Sequence, residues 1–256
     1  MGARCHRGQR NSEMSATIEI LGVRVDAVTY VNVLDIMASW IEQGGPHQIA
    51  TVNPEFVMAA QHDAQFRQTL KNADLCVADG AGLLWAARVL GRSLPERVTG
   101  SDLVPLVAQE AAARGWRVYL LGAAPGVADA TAVILARRYP GLRIAGSFSG
   151  SPSAADAPAI VAWVRHARPD ILFVAYGAPA QDVWIAEHGR ALGVPVMMGV
   201  GGAFDHIAGV QRRAPDWIQR LQLEWLYRLV TQPWRWRRQL ALPKFALAVV
   251  AKRVLG

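Results

Sequence analysis

The first candidate for chemistry in this chain is a carboxylate that follows a buried run of apolar residues. Asp79 comes directly after the apolar residues 75–78 and is followed by Gly80. An aspartate at the end of a strand is placed like a catalytic base that takes a proton from a hydroxyl group. Asp-Gly is also an ordinary turn pair, so this pattern alone supports a catalytic base and a simple turn equally.

Four other segments place polar or small residues where predicted strands end. In residues 51–55, Asn53 can cap a helix that starts at Pro54. Residues 122–126 form a glycine-rich turn that can bring backbone N–H groups to a phosphate, although they match neither a P-loop nor a complete dinucleotide fingerprint. Gln181 lies near the start of another predicted helix, and residues 199–205 close the series. Together the segments predict a phosphorylated ligand with a neutral body, such as a sugar nucleotide.

Arg97 is a candidate for binding an anion, because a planar guanidinium can hold two oxygens at once. It lies in residues 96–102, where Ser101 or Asp102 can cap the next helix. The alternative interpretation of Arg97 is a surface salt bridge with Glu96 or Asp102.

The sequence lacks the motifs of several other classes of enzyme. The sequence has no Asp-x-Asp, no His-Glu-x-x-His and no Cys/His cluster, so a metal-dependent mechanism has no visible ligands. Residues 146–150 do not fit the Gly-x-Ser-x-Gly pattern of a serine hydrolase. We therefore expect no metal and no cofactor, and we interpret the scattered histidines as solvated or structural residues: His62, His166, His188 and His206.

These candidates need a scaffold in which strand ends converge. Apolar runs without polar alternation are typical of strands covered on both faces, and they occur at 48–52, 75–78, 117–121, 143–147, 171–175 and 195–199. Helical patterns separate them, from residue 29 or 32 to about 42 and at 54–72, 80–90, 101–114, 124–139, 153–167 and 179–191. The sequence therefore predicts an α/β fold, a Rossmann-like, mostly parallel sheet flanked by helices, with a short hairpin over residues 18–28 before it. In such sheets ligands bind beyond the carboxyl ends of the strands.

Composition sets the limits of this fold. The chain has 256 residues, of which 52% are hydrophobic and 18% charged, which excludes charge-rich disorder for the whole chain. Its two cysteines, Cys5 and Cys76, cannot form a disulfide framework, and a reducing compartment fits. Residues 1–15 lack the apolar run of a secretory signal, so we expect a disordered tail there. We divide the rest into a core over 16–210 and a basic, aromatic-rich helical appendage over 211–256.

The appendage carries nearly all of the charge imbalance. It holds ten of the 27 Lys and Arg residues but two of the 20 Asp and Glu residues, so its net charge is +8 and that of residues 1–210 is −1. Its aromatic residues and aliphatic runs suit the headgroup region of an anionic membrane better than nucleic acid, since apolar surface gains nothing beside phosphates in water. Residues 240–251 are too short for the ~20 needed to cross a bilayer. We expect two or three helices over 214–254, interrupted at Pro233 and Pro243.

Five segments together resemble one known family. Thr-Val-Asn-Pro-Glu at 51–55, Ala-Asp-Gly at 78–80, Glu-Arg-Val-Thr-Gly-Ser-Asp-Leu at 96–103, Gly-Ala-Pro-Ala-Gln at 177–181 and Gly-Val-Gly-Gly-Ala-Phe-Asp at 199–205 resemble the WecG/TagA/CpsF family of bacterial glycosyltransferases. Residues 212–229 resemble the tail of that family equally well, and the resemblance covers about residues 18–238.

The resemblance implies a transferase of cell-surface polysaccharide synthesis that moves a sugar from a UDP-sugar to a polyprenyl-diphosphate-linked saccharide, with inversion and without a metal. It further implies a peripheral enzyme on the cytoplasmic face of the cell membrane. The sugar, the polymer and the oligomeric state stay open, and a homo-oligomer is compatible with the sequence.

The resemblance also assigns roles to individual residues. Asp79 would be the general base, Thr51 and Asn53 would line the acceptor or sugar pocket, Arg97 would hold a phosphate, and Gln181 would contact the donor. In the tail, three basic residues would close over the site: Arg228, Arg235 and Arg238.

Two other functions remain open at this point. A nucleotide-dependent oxidoreductase would use residues 122–126 for a dinucleotide, and it predicts a spectral change with NADH. A non-catalytic membrane-associated scaffold would dock through its basic end, and it predicts that Asp79→Ala leaves function intact.

Overall fold

The computed structural model describes residues 16–215, 217–218, 224–231, 236 and 240–255. Six strands form one sheet and two form a hairpin. In chain order they are β1 (Thr17–Ile20), β2 (Val23–Asp26), β3 (His47–Val52), β4 (Leu75–Ala78), β5 (Arg117–Gly122), β6 (Arg143–Phe148), β7 (Ile171–Ala175) and β8 (Val196–Gly199).

The large sheet has the strand order β4-β3-β8-β7-β5-β6, and every neighbouring pair is parallel. β1 and β2, which precede it in the chain, pair antiparallel as a separate two-stranded sheet. The predicted α/β fold with a parallel sheet and an N-terminal hairpin is therefore confirmed. The order also puts the carboxyl ends of β4, β3 and β8 side by side, so the residues that follow these strands meet.

Helices cover both faces of the sheet. In chain order they are α1 (Tyr30–Gln43), α2 (Pro54–His62), α3 (Ala64–Asn72), α4 (Ala81–Val89), α5 (Gly100–Arg114), α6 (Val127–Arg138), α7 (Ala157–Ala167), α8 (Ala180–Leu192), α9 (Ala203–Ile207), α10 (Glu224–Thr231) and α11 (Ala241–Leu255). Buried side chains of α1, α5 and α6 form one apolar cluster with the sheet, and those of α2, α3, α4 and α11 form another.

Local capping explains where some predicted helix boundaries were wrong. The helical pattern predicted over 54–72 without an internal boundary forms two helices, because the Asp63 side chain accepts a hydrogen bond from the Phe66 N–H and starts α3. α5 is capped by Thr99 rather than by Ser101 or Asp102. α6 and α7 begin later than predicted, at Val127 and Ala157, since turns precede them.

The C-terminal segment contains a helix that joins the core. Phe245 and Val249 of α11 are buried against the cluster that includes Val57 of α2 and Leu83 of α4. The predicted interruption at Pro243 lies slightly earlier, since Leu240 is in a turn and α11 begins at Ala241. Pro243 stands in the first turn of α11, where its missing N–H costs no intrahelical bond. Pro233 lies outside the described residues. The division into 1–15, 16–210 and 211–256 stays a prediction.

None of the helices in the described part of the chain is both long enough and apolar enough to cross a membrane.

Candidate active site

The carboxyl ends of β3, β4 and β8 open into a cleft of about 260 Å³. Helices α2, α4, α10 and α11 contribute to its walls. Five residues singled out from the sequence line this one cleft: Thr51, Asn53, Asp79, Arg97 and Gln181.

Asp79 is fixed at the cleft by backbone contacts on both sides. Its N–H donates to the Val52 carbonyl across the strand ends at 2.6 Å. Its carboxylate oxygen Oδ2 accepts from the Gly100 N–H at 3.3 Å, at the first residue of α5. Gly80 follows with φ of +121°, a conformation that favours glycine, and turns the chain into α4. The carboxylate is thus held at the point where β4, α4 and α5 meet.

Thr51 and Asn53 stand on the neighbouring strand end. The Thr51 hydroxyl donates to the Gly199 carbonyl at 3.2 Å and so ties β3 to β8. Asn53 caps α2, because its Oδ1 accepts from the Phe56 N–H at 3.0 Å. An amide has one oxygen and one NH₂ group, so the cap uses the Asn53 oxygen and not its NH₂ group.

Gln181 lines the cleft but is almost completely buried in its wall, with 1% of its surface exposed. Its Oε1 accepts from the Gly201 N–H at 3.0 Å. A Cβ added at Gly199 would lie 2.5 Å from Gln181 Nε2, so any side chain at the end of β8 would displace the Gln181 amide. Gln181 therefore holds the turn after β8 in place.

Asp182 is completely buried behind Gln181, in the first turn of α8. Burial raises the pKa of Asp182 to about 7, and the nearby Gln181 amide opposes this shift, although neither carboxylate oxygen has a hydrogen-bond partner among the described residues. The carboxyl group therefore holds its proton in much of the range where an ordinary aspartate is ionised.

Arg97 is paired with the C-terminal part of the chain. Its Nη1 donates to Glu224 Oε2 of α10 at 2.8 Å, and Glu224 Oε1 lies 3.5 Å from the Nε of Arg213. Arg213 also donates to Asp102 of α5. Glu224 thus connects two guanidinium groups, and we call Arg97, Asp102, Arg213 and Glu224 the charge cluster. Arg97 and Arg213 both line the cleft.

The neighbours of Arg97 are engaged elsewhere, so neither salt bridge considered from the sequence forms. Glu96 accepts from the Tyr30 N–H at 2.9 Å, and the Tyr30 hydroxyl accepts from the Thr99 N–H at 2.9 Å. Burial raises the pKa of Tyr30 to about 12. Burial also acts to raise the pKa of Asp102, but hydrogen bonds from Arg213 and Thr99 hold this pKa below its usual value.

The structure also shows what the sequence did not assign. His206, interpreted as solvated or structural, lines the cleft, and its Nδ1 lies 3.2 Å from the Gln211 carbonyl. Arg213, Glu224 and Trp225 line it as well. Arg213, Glu224 and Trp225 fall within residues 212–229, so the resemblance of that segment to the family tail was the sequence signal that could have found them.

The glycine-rich turn over residues 122–126 is separate from the cleft, because none of its residues lines it. A Cβ at Gly122 would lie 2.7 Å from the backbone of Ala175 in β7, so close strand packing accounts for this glycine.

Two of the three tail arginines, Arg235 and Arg238, lie outside the described residues. Arg228 belongs to α10 by its backbone, and its side chain is outside the description. Within the described ranges, no three His, Cys, Asp or Glu side chains lie close enough to share a metal ion.

Comparison with known proteins agrees with the family resemblance of the sequence motifs. The model of the Glycosyl transferase WecG/TagA/CpsF family matches residues 18–256. A Bacillus subtilis (strain 168) protein named N-acetylglucosaminyldiphosphoundecaprenol N-acetyl-beta-D-mannosaminyltransferase is 35% identical over 211 residues, which are 82% of each chain. Proteins of the same name from Bacillus spizizenii and Staphylococcus aureus (strain NCTC 8325 / PS 47) are 33% and 31% identical, over 88% and 93% of this chain and 87% and 94% of theirs.

Asp182→Asn tests the buried carboxyl group. The folded-state pKa of about 7 lies above the ordinary value of 3.8, so the unfolded chain ionises first and wild-type stability falls as pH rises between these values. Asparagine does not titrate, so the variant should be about 2–4 kcal/mol more stable than wild type at pH 8, and the difference should largely vanish near pH 4. Urea unfolding at both pH values measures this.

Asp156→Asn is the control for this measurement. The Ser151 hydroxyl, which donates to Asp156 Oδ2, and the neighbouring Ser153 side chain lower the pKa of exposed Asp156, so its substitution should reduce stability at pH 8. If both variants are more stable than wild type at pH 8, or if neither is, the raised pKa of Asp182 is contradicted.

Glu224→Ala tests the charge cluster. Removing the shared carboxylate leaves Arg97 and Arg213 without their common partner, so α10 should open more easily by about 1–2 kcal/mol. Amide hydrogen exchange of residues 224–231 should then be roughly 5–30 times faster.

Glu110→Ala is the matched control, because Glu110 forms an i,i+4 ion pair with Arg114 within α5. Such exposed pairs contribute about 0.3–0.5 kcal/mol, so exchange in α5 should change by about twofold at most. Equal changes in the two helices would show that Glu224 is an ordinary surface partner.

Proposed function

Because the chain belongs to the WecG/TagA/CpsF family of glycosyl transferases, we propose that it transfers N-acetylmannosamine from a UDP-linked donor to N-acetylglucosaminyl diphosphoundecaprenol. The proposal extends to this chain the acceptor and sugar in the names of its relatives. The observation that carries it is the meeting of a carboxylate, Asp79, and a guanidinium, Arg97, in one cleft at the carboxyl edge of a parallel sheet.

Asp79 acts as the general base in this proposal. Its carboxylate takes the proton from the acceptor hydroxyl while the hydroxyl oxygen forms a bond to the anomeric carbon of the donor. The bond from that carbon to the UDP oxygen breaks on the opposite face, so configuration inverts. The Gly100 N–H that holds Oδ2 keeps the carboxylate oriented for the transfer.

The departing diphosphate gains negative charge that the protein must stabilise. Arg97 meets it with the guanidinium N–H groups that Glu224 does not use, since Glu224 binds Nη1. Gly201 and Gly202 line the same cleft and bring backbone close to a phosphate. Arg228, Arg235 and Arg238 complete the neutralisation, as the family resemblance implies.

The remaining polar residues fit binding roles. Asn53 contacts the sugar or acceptor through its NH₂ group, and Thr51 lines the pocket while its hydroxyl holds the Gly199 carbonyl. Gln181 contacts the donor and positions the turn that carries Gly201.

The C-terminal segment attaches the enzyme to the inner face of the cell membrane in this proposal. Its described part exposes large apolar side chains beside exposed cations such as Lys244, Lys252 and Arg253. The apolar set comprises Trp217, Trp225, Leu226, Val230, Trp236, Leu240, Leu247, Val250, Val254 and Leu255. Aromatic and aliphatic side chains with interspersed cations suit an anionic interface, which is where a lipid-linked acceptor resides.

Asp79→Asn tests the chemistry. The amide keeps the size of the side chain but cannot take a proton, so kcat should fall by about 10²–10⁴-fold while the KM for the donor changes little. The assay measures UDP release with a lipid-linked N-acetylglucosaminyl diphosphate acceptor and a set of UDP-sugars.

Asp35→Asn, on the exposed surface of α1, is the control and should retain wild-type kcat. An Asp79→Asn enzyme with more than about a tenth of wild-type kcat would exclude Asp79 as the base. Preference for a UDP-sugar other than UDP-N-acetylmannosamine would correct the proposed donor.

Leu247→Glu combined with Val254→Glu tests the membrane surface. These side chains are 72% and 75% exposed, so the changes should spare the fold while placing charge where lipid is expected. Binding to phosphatidylglycerol vesicles, measured by co-sedimentation, should weaken by about tenfold or more.

Val133→Glu on α6, which is 49% exposed, is the matched control and should bind like wild type. Equal binding by all three proteins would contradict the surface.

A further inference from the structure

Helix α4 carries an exposed apolar surface that the proposed chemistry does not use. A shallow hollow on this helix is lined by Ala81, Gly82, Leu84, Trp85 and Arg88. We call it the α4 hollow. Among the described residues no carboxylate lines it, and the one cation that does, Arg88, has a long aliphatic stem that can border apolar surface.

The α4 hollow continues from the active-site cleft. Ala81 and Gly82 line both depressions, so the first turn of α4 is their common border. A Cβ added at Gly82 would lie 2.6 Å from Pro54 Cγ, which shows that α4 is packed tightly against the start of α2. At 1.5 Å per helical residue, Trp85 lies about 6 Å along the axis from Ala81.

Trp85 does not hold the helix in place. Leu83, Ala86 and Ala87 are buried on the opposite face and attach α4 to the core, whereas Trp85 is 41% exposed. A large exposed aromatic side chain next to a ligand cleft is typical of a binding surface.

The cleft itself has an apolar side that leads toward this helix. Polar residues of the cleft include Thr99, Ser101 and His206, which come from α5, its cap and α9. The apolar residues of the cleft include Ala81 of α4, Trp225 of α10 and Leu242 of α11, and α11 packs on α4. A ligand with both a charged and an apolar part would place the apolar part on this side.

From this continuity we propose that the α4 hollow binds the first isoprene units of the acceptor's polyprenyl chain. The inference rests on the proposed function, because the acceptor diphosphate must lie in the cleft for its chain to leave it. The chain is covalently bound to that diphosphate, so it emerges at the rim. Passing over Gly82, where there is no side chain, it contacts Leu84 and the indole of Trp85, and both surfaces lose water.

The test compares two soluble acceptors, N-acetylglucosaminyl diphosphate carrying a farnesyl chain and the same compound carrying a methyl group. Wild type should have a lower KM for the farnesyl compound. Trp85→Ala should reduce the KM ratio between the methyl and farnesyl compounds by about tenfold, because about 1.4 kcal/mol of apolar contact is lost. Trp85→Phe should keep most of the ratio, since phenylalanine retains an apolar ring.

Trp163→Ala is the matched control. Trp163 is 51% exposed on α7, is not among the residues that line the cleft or the hollow, and should leave the KM ratio unchanged. An unchanged ratio in Trp85→Ala would overturn the inference, as would a rise in KM that is equal for both compounds. A loss seen with vesicles but not with the soluble farnesyl compound would assign the surface to the bilayer instead.

Failure of the proposed function would give a different experimental result from failure of the inference. Wild-type enzyme that transfers sugar to neither acceptor would overturn the proposed function, and the inference with it. Transfer by wild type with a chain preference equal to that of Trp85→Ala would overturn the inference alone.

Discussion

The site depends on the register of three parallel strands. Val52 of β3 stands opposite Ala78 of β4, and Ile49 of β3 stands opposite Met198 of β8. With these pairings the strands end at nearly the same level, so Asn53, Asp79 and Val200 emerge together at one edge. β4 buries Leu75 and Val77 in one apolar cluster and Cys76 and Ala78 in the other, so a shift of one residue would exchange these pairs between two clusters that are packed for different side chains. Burial of the sheet on both faces therefore also fixes the position of the carboxylate.

The charge cluster connects this edge with the C-terminal segment. Glu224 of α10 reaches Arg97, whose flanking residues Glu96 and Thr99 are tied to α1 through Tyr30. Phe245 of α11 is a second attachment, made by apolar burial. One attachment is ionic and borders the cleft, and the other is apolar and lies against α2 and α4.

Much of this organisation could be predicted from the sequence, since it follows from local signals. Apolar runs located all six strands of the sheet, and Asn53 followed by Pro54 marked a helix start at the cleft. The break at Asp63 was missed because an aspartate inside a helical pattern is also an ordinary surface residue. The pairing of Arg97 with Glu224 was missed because the two lie 127 positions apart, and no local pattern predicts such a contact. His206 was missed for the same reason, since its place in the cleft depends on how α9 packs.

The tight contact between Gly199 and Gln181 has a consequence for how such sequences diverge. The amide nitrogen of Gln181 occupies the space that any larger residue at position 199 would need. A larger residue at position 199 would push the Gln181 amide aside and so disturb the hydrogen bond that anchors Gly201. The constraint is one-sided: substitution at position 199 depends on how the neighbouring amide moves, whereas a smaller residue at position 181 meets no steric barrier from Gly199.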